Sequence, residues 1–250
     1  MTAALATLGL NKSFGSLVVA SDIAFSLPKG ERYALIGPNG AGKTTLINLL
    51  TGMLKPDAGQ ILLDGDDISA EPPAARVRRG LVRTFQINSL FPKITALDAV
   101  TLAVCERRGE AGVWWRGLSR YGEAVEEAHT ILTSLRLDHV EGAITKELAY
   151  GQQRLLEIAL ALATKPKVLL LDEPAAGVPK DESGDLFAAI DGLSRDLSIL
   201  FIEHDMNLVF RFASRIIVMV SGRILVEGTP AQIASDPRVR EVYLGKARHG

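Results

Sequence analysis

The chain has 250 residues, 47% of them hydrophobic, enough to bury a sizeable core as one large domain or as a domain carrying a subdomain. Its formal net charge of -1 and pI near 6.4 supply no global basic field that would favour nucleic acid. The single cysteine, Cys105, allows no internal disulfide and fits a reducing compartment.

Taken in order, residues 3–10 and 17–27 read as strands, with a turn at Phe14-Gly15-Ser16 between them. No basic stretch precedes an apolar one in residues 1–10, so nothing there resembles a signal peptide. A second turn over 28–31 leads into a short apolar strand, 32–36. Immediately after it stand Gly37-Pro38-Asn39-Gly40-Ala41-Gly42-Lys43-Thr44-Thr45, and residues 45–50 then read as helix. This is the phosphate-binding P-loop, G-x-x-x-x-G-K-[ST], in the strand–loop–helix context the motif requires. Its glycines let successive N–H groups turn inward toward phosphate oxygens, and the helix N-terminus adds partial positive charge. Lys43 is expected to reach the β- and γ-phosphates of a nucleotide and Thr44 to offer a hydroxyl to Mg²⁺.

Residues 55–59 end that helix, and 60–65 read as a short strand and turn. Residues 72–79 suit a short helix whose basic run, 76–79, is expected to be a solvated face. Residues 81–85 form an apolar strand finishing at Gln86. From about 92 to 163 strand signals vanish, and helical spacing takes over at 96–104 and 124–137. Cys105 belongs to that apolar spacing and is expected to be buried, and residues 123–127 to be the exposed side of a helix. Residues 107–122 are rich in Gly and Arg and carry Trp114 and Trp115. That pair suits either a contact with a membrane partner or packing beneath an insertion. His129, His139 and His249 show no metal-ligand spacing.

Residues 167–173 then form an apolar strand ending in Asp172 and Glu173. By itself such a pair also suits a solvated loop. Downstream of a P-loop it points to nucleotide hydrolysis, with Asp172 near Mg²⁺ and Glu173 placed to polarise a water. Residues 186–197 are expected to be an amphipathic helix, and 198–202 a buried strand ending at Glu203-His204. Two further strands, 215–220 and 224–227, flank a Ser221-Gly222 turn, and a helix starts at Pro230. The longest apolar runs, near 168–171 and 216–220, fall short of the ~18 residues of a membrane span.

Leu148-Ala149-Tyr150-Gly151-Gln152-Gln153-Arg154, about twenty residues before Asp172, resembles the signature motif of ABC-transporter ATPase subunits, usually Leu-Ser-Gly-Gly-Gln. The rest of that family's pattern follows in order. Gln86 matches the Q-loop, Glu173 the catalytic carboxylate, residues 176–179 the D-loop, His204 the switch histidine, and Phe14 the aromatic that stacks on adenine. Three substitutions depart from the pattern: Ala149 for the signature serine, Tyr150 for its first glycine, and Pro179 at the usually acidic end of the D-loop. Residues 83–86, 148–154, 172–177, 227–233 and 242–245, with the long 105–125 insertion, are similar to ATPase subunits of branched-chain amino acid importers.

The resemblance implies an α/β fold: a P-loop NTPase core of the RecA-like kind, with an N-terminal antiparallel β subdomain and an inserted α-helical subdomain. One ABC ATPase domain would span 1–250, its core drawn from 1–90 and 164–250 and its helical subdomain from 91–163. It implies two ATPs, each with Mg²⁺, sandwiched head to tail between two copies. The P-loop residues 37–45 and Phe14 of one copy would meet Tyr150, Gly151 and Gln152 of the other. Glu173, His204, Lys43 and Gln86 would act in catalysis, and Thr44, Gln86 and Asp172 at the metal. The implied partners are a second ATPase subunit, identical or not, two membrane permeases and, indirectly, a periplasmic binding protein. The implied place is the cytoplasmic face of the inner membrane, without nucleic acid. Relatives with this pattern carry urea, amides or aromatic acids, the ATPase of lipopolysaccharide export shares the tail, and the substituted signature leaves room for a poorly hydrolysing regulatory cassette.

Overall fold

The computed structural model describes residues 3–84, 92–110 and 122–244, so Gln86, Trp114, Trp115 and His249 lie outside the described residues. The first elements are β1 (Ala3–Phe14), β2 (Leu17–Pro28), β3 (Arg32–Ile36), α1 (Lys43–Thr51), β4 (Ala58–Leu63), β5 (Asp66–Asp67), α2 (Pro73–Arg79) and β6 (Leu81–Arg83). Helices α3 (Ala96–Arg108), α4 (Gly122–Ser134) and α5 (Tyr150–Leu162) follow. The chain closes with β7 (Val168–Asp172), α6 (Lys180–Asp191), β8 (Ser198–Ile202), α7 (Met206–Phe212), β9 (Arg215–Val220), β10 (Arg223–Gly228), α8 (Pro230–Ser235) and α9 (Pro237–Leu244). These elements fall into two compact units. One comprises Met1–Val82, Lys167–Pro174 and Arg195–Gly250, and the other Arg83–Pro166 and Ala175–Ser194.

The first unit holds an antiparallel sheet ordered β2-β1-β4-β5 and a mixed sheet ordered β10-β9-β3-β8-β7-β6. On β2, Ile23, Phe25 and Leu27 turn inward while Ala24 and Ser26 are exposed, the alternation of a sheet with one wet face. Strands β3 and β8 are instead buried along their whole length, as parallel strands covered on both faces are. The register sets the site. Leu35 of β3 pairs with Ile202 of β8, and Ile202 pairs with Asp172 of β7. The loops that leave these three parallel strands therefore start at one level of one sheet edge, where α/β folds bind ligands. Leu46, Ile47, Leu49 and Leu50 of α1 join Leu5, Ile23, Leu27, Leu170 and Leu200 in the core beneath both sheets.

The basic run of α2 departs from expectation. Arg78 and Arg79 are exposed, but Arg76 is only 1% exposed. Its guanidinium donates to the carbonyls of Leu49 and Leu50 (both 2.7 Å), Ser69 (2.9 Å) and Glu71 (2.9 Å). The last carbonyls of a helix have no partner within it, and a planar fork of five donors can serve several at once. A cation at a helix C-terminus also complements the helix dipole.

Helix α6 lies earlier than the expected 186–197. Pro179 precedes it, and Gly192 ends it. Leu193 and Leu197, both buried, prolong the apolar spacing of Leu186 and Ile190 past the helix end, which misplaces the helix in a reading by periodicity. The seven-residue α7 was not expected. Its marker is Asp205, whose carboxylate caps it by accepting from Asn207 N at 2.8 Å.

In the second unit, α3, α4 and α5 pack on one another and α6 packs on α5. Ala99, Val100, Val104, Ala128, Leu132 and Leu156 are buried there, as is Cys105. Glu127 is not the exposed residue expected of its stretch. Arg107 grips it with two bonds (2.8 and 2.7 Å), Arg108 adds one (2.8 Å), and Lys165 stands at 3.2 Å. Arg107 also donates to Ala163 O at 3.0 Å, joining α3, α4 and the end of α5. The Arg107 bonds lead in pulling the Glu127 carboxyl down from 4.5 to about 2, against its own desolvation. A depressed carboxyl stabilises the fold above its unfolded pKa, and that contribution fades as pH falls from about 4.5 toward 2. Glu127→Gln is expected to lower stability by roughly 1.5–3 kcal/mol at pH 7, the scale of hydrogen bonds to charged groups. In urea titrations the gap between variant and wild type should shrink toward pH 3. A pH-independent gap would contradict this account.

Candidate functional site

The backbone at the end of β3 must turn at once into α1, and two glycines make that possible. A Cβ on Gly37 would lie 2.2 Å from Met219 O. Gly42 has φ +100, and a Cβ there would lie 2.6 Å from Val19 O. Gly42 O accepts from Leu46 N at 2.9 Å, and no side chain caps α1. The first-turn amides of α1 are thus not spent on a capping oxygen. The Ser221-Gly222 turn straps the loop: Gly222 N donates to Ala41 O (2.9 Å), and Ser21 N donates to Gly222 O (2.8 Å).

Around this loop lies a cleft of about 700 Å³. Residues 39–45 form its floor, and Leu17, Val18, Glu173, His204, Ser221 and Gly222 complete the wall. Lys43 is buried, and its ammonium donates to Gly37 O (2.8 Å) and Pro38 O (3.2 Å). Burial lowers its pKa, and the charges of Glu173 and Asp172 oppose that shift. Thr44 is exposed in the cleft, and Asp172 is half-buried at the end of β7. Glu173 adopts a left-handed conformation, φ +50, which is uncommon for a residue with a side chain. Its N–H donates to Ile202 O at 3.0 Å, and its Oε1 meets His204 Nε2 at 2.8 Å. His204 N in turn donates to Glu203 Oε2 at 3.1 Å.

The structure thus brings together Lys43, Thr44, Asp172, Glu173 and His204 from three adjacent strand ends. Phe14 stands at the end of β1, 53% exposed, with Lys12 Nζ 5.5 Å from its ring centre, and it is not part of the cleft wall. Tyr150, Gly151 and Gln152 belong to the second unit, where they form the first turn of α5. Gln86 lies outside the described residues. The sequence reading missed Leu17 and Val18, apolar residues that open a strand just after a turn and that the structure leaves 63% and 53% exposed. It gave no site role to Tyr243 of α9, although residues 242–245 are part of the resemblance. Tyr243 is 39% exposed; partial burial pushes its phenol up to about 12, and a bond from the Gly37 backbone pulls the other way.

The comparisons fit this geometry. The family model described as "ABC transporter" matches residues 20–176, and that described as "Branched-chain amino acid ATP-binding cassette transporter" matches residues 223–249. The chain belongs to the ABC transporter family. It is 40% identical over 248 residues to a high-affinity branched-chain amino acid transport ATP-binding protein of Pseudomonas aeruginosa, covering 96% of each chain. The corresponding protein of Escherichia coli is 39% identical over 252 residues, covering 97% of this chain and 98% of that one. A solved ATP-binding cassette of an ABC transporter, in its ADP conformation, superposes with a TM-score of 0.85 at 33% identity. That match covers 98% of this chain and all of the other. As an ABC ATPase the chain binds and hydrolyses ATP on a P-loop α/β fold. As an ATP-binding subunit it serves a membrane permease, and no described helix is itself long and apolar enough to cross a membrane.

Proposed function

We propose that the chain powers import of branched-chain amino acids, hydrolysing ATP at the cleft around Lys43. The observation that carries the catalytic reading is the Glu173–His204 pair, 2.8 Å apart on the wall of a P-loop cleft. Support for the substrate class comes from the full-length relatives and from the family model over 223–249.

Lys43 uses two of its three ammonium donors on the loop, leaving one for a phosphate oxygen. The P-loop amides and the N-terminus of α1 cradle the β- and γ-phosphates. Glu173 accepts a proton from the water whose oxygen bonds to the γ-phosphorus. The bond from that phosphorus to the bridging oxygen breaks, and ADP keeps the electron pair. His204 holds the Glu173 carboxylate and the γ-phosphate in line. Thr44 and Asp172 are oxygen donors of the kind a hard cation takes, and Gln86 is assigned with them. Mg²⁺ there would neutralise phosphate charge, held mostly by water and phosphate rather than by a protein cage.

Apolar Leu17 and Val18, with Phe14 nearby, suit the base. Tyr150, Gly151 and Gln152 act on the ATP of a second ATPase subunit, in a head-to-tail dimer. Ala149 lacks a capping oxygen, which leaves the first amides of α5 to the partner's γ-phosphate. The helical segment 91–163 is assigned to the permease contact, at the cytoplasmic face of the membrane, with a periplasmic binding protein delivering the substrate.

Lys43→Ala is expected to lower turnover at least ~100-fold, the scale of losing one donor to transition-state charge. Unchanged turnover in purified protein would remove the P-loop from the mechanism. In cells lacking this chain, uptake of labelled leucine, isoleucine and valine should fall. Loss confined to urea or an aromatic acid would overturn the substrate assignment.

A further inference from the structure

Tyr150 occupies a place where the signature pattern has glycine, and the structure gives its ring a specific seat. The ring lies on Gly177: a methyl group on that glycine would come within 3.1 Å of both Cε1 and the hydroxyl oxygen of Tyr150. Gly177 is also left-handed, at φ +80. Arg154, one turn further along α5, completes the contact. Its Nη2 donates to the Tyr150 hydroxyl at 2.9 Å and reaches Ala176 O at 3.4 Å, and its Cζ stands 5.2 Å from the ring centre. Glu157 anchors the same guanidinium at 3.0 Å, with side chains only 10% and 9% exposed. Gly151 adds close backbone approach, since a Cβ there would meet Glu182 at 3.0 Å and Val178 at 3.7 Å.

We infer that Tyr150 is a positioning residue that clasps the 176–178 segment to the first turn of α5, so that the two move as one piece. The large side chain at 150 and its absence at 177 are complementary halves of one contact. The guanidinium makes it specific, because a planar fork can serve a phenol, a carboxylate and a carbonyl together. The consequence for catalysis rests on the dimer reading above, in which the first turn of α5 faces the partner's nucleotide. A clasped pair then arrives at that nucleotide as a preset surface, without a separate ordering step.

A double-mutant cycle tests this. Gly177→Ala drives a methyl into the ring and is expected to lower kcat roughly tenfold. Nucleotide affinity of the single chain, read with a fluorescent ATP analogue, should stay within about twofold, because the P-loop is untouched. Tyr150→Ala added to Gly177→Ala should recover part of the loss, since the obstructed ring is gone. Amide hydrogen exchange over 176–178 reads the clasp without turnover and should quicken in Tyr150→Ala, and less in Tyr150→Phe, which keeps the ring. Independent, multiplying effects on kcat together with unchanged exchange overturn the clasp. Quickened exchange with unchanged kcat overturns its role in turnover. Should Glu173→Gln fail to form a dimer with ATP and Mg²⁺, the dimer reading fails while the exchange measurement still decides the clasp.

Discussion

Replacing Glu173 with Gln is expected to cut ATP turnover by about 10²–10⁴-fold, the range for loss of a positioned general base, while nucleotide binding persists. The substitution is nearly isosteric, and a primary amide can still bond His204. What it cannot do is accept the proton that the attacking water must lose. The left-handed backbone at 173 and its bond to Ile202 O do not depend on the carboxylate, so the site should keep its shape. Size-exclusion chromatography with ATP and Mg²⁺ should then show a trapped dimer for Glu173→Gln and not for wild type. Equal turnover in the two forms, both negligible, would mean a regulatory cassette rather than a motor.

The second large effect concerns stability. Arg76→Ala should cost about 3 kcal/mol, because it strips a charged donor from two buried carbonyls at the end of α1 and two half-buried ones beside it. For a chain of this size that corresponds to a fall of roughly 6–12 °C in Tm. Arg76→Lys should rescue only part, since one ammonium cannot fan across carbonyls on α1 and on the Ser69–Glu71 turn. Gly52, which ends α1 at φ +76, leaves no alternative packing: a Cβ there would lie 2.9 Å from Arg76 Nε. Calorimetry of the three proteins settles the matter, and a Tm unchanged in Arg76→Ala would refute the clamp.

Much of the site was legible in the sequence because its chemistry is local. The P-loop carries its own spacing, and Asp172-Glu173 and Glu203-His204 each sit at the end of an unmistakably apolar strand. Register then does the rest, since neighbouring parallel strands of equal character end at one level. What could not be read depends on partners far along the chain. Nothing near Arg76 distinguishes it from Arg78 and Arg79; only the carbonyls of α1 do. In the sequence Tyr150 is only a substitution for the signature's first glycine, and its seat on Gly177 exists only once α5 packs beside the segment after β7. Helix α6 was misplaced for the opposite reason, because Leu193 and Leu197 repeat a helical spacing for which the backbone has no helix.

The strap across the P-loop has a consequence for how the protein is made. Ala41 takes its bond from Gly222, Gly37 is pressed against Met219, and Gly42 against Val19. The loop that carries the motif is therefore shaped by residues synthesised long after it. Loop closure over so many residues comes late in folding. A nascent chain that already displays the whole P-loop outside the ribosome still lacks the β9–β10 turn that gives it form. The shape of the P-loop is thus a property of the nearly finished polypeptide.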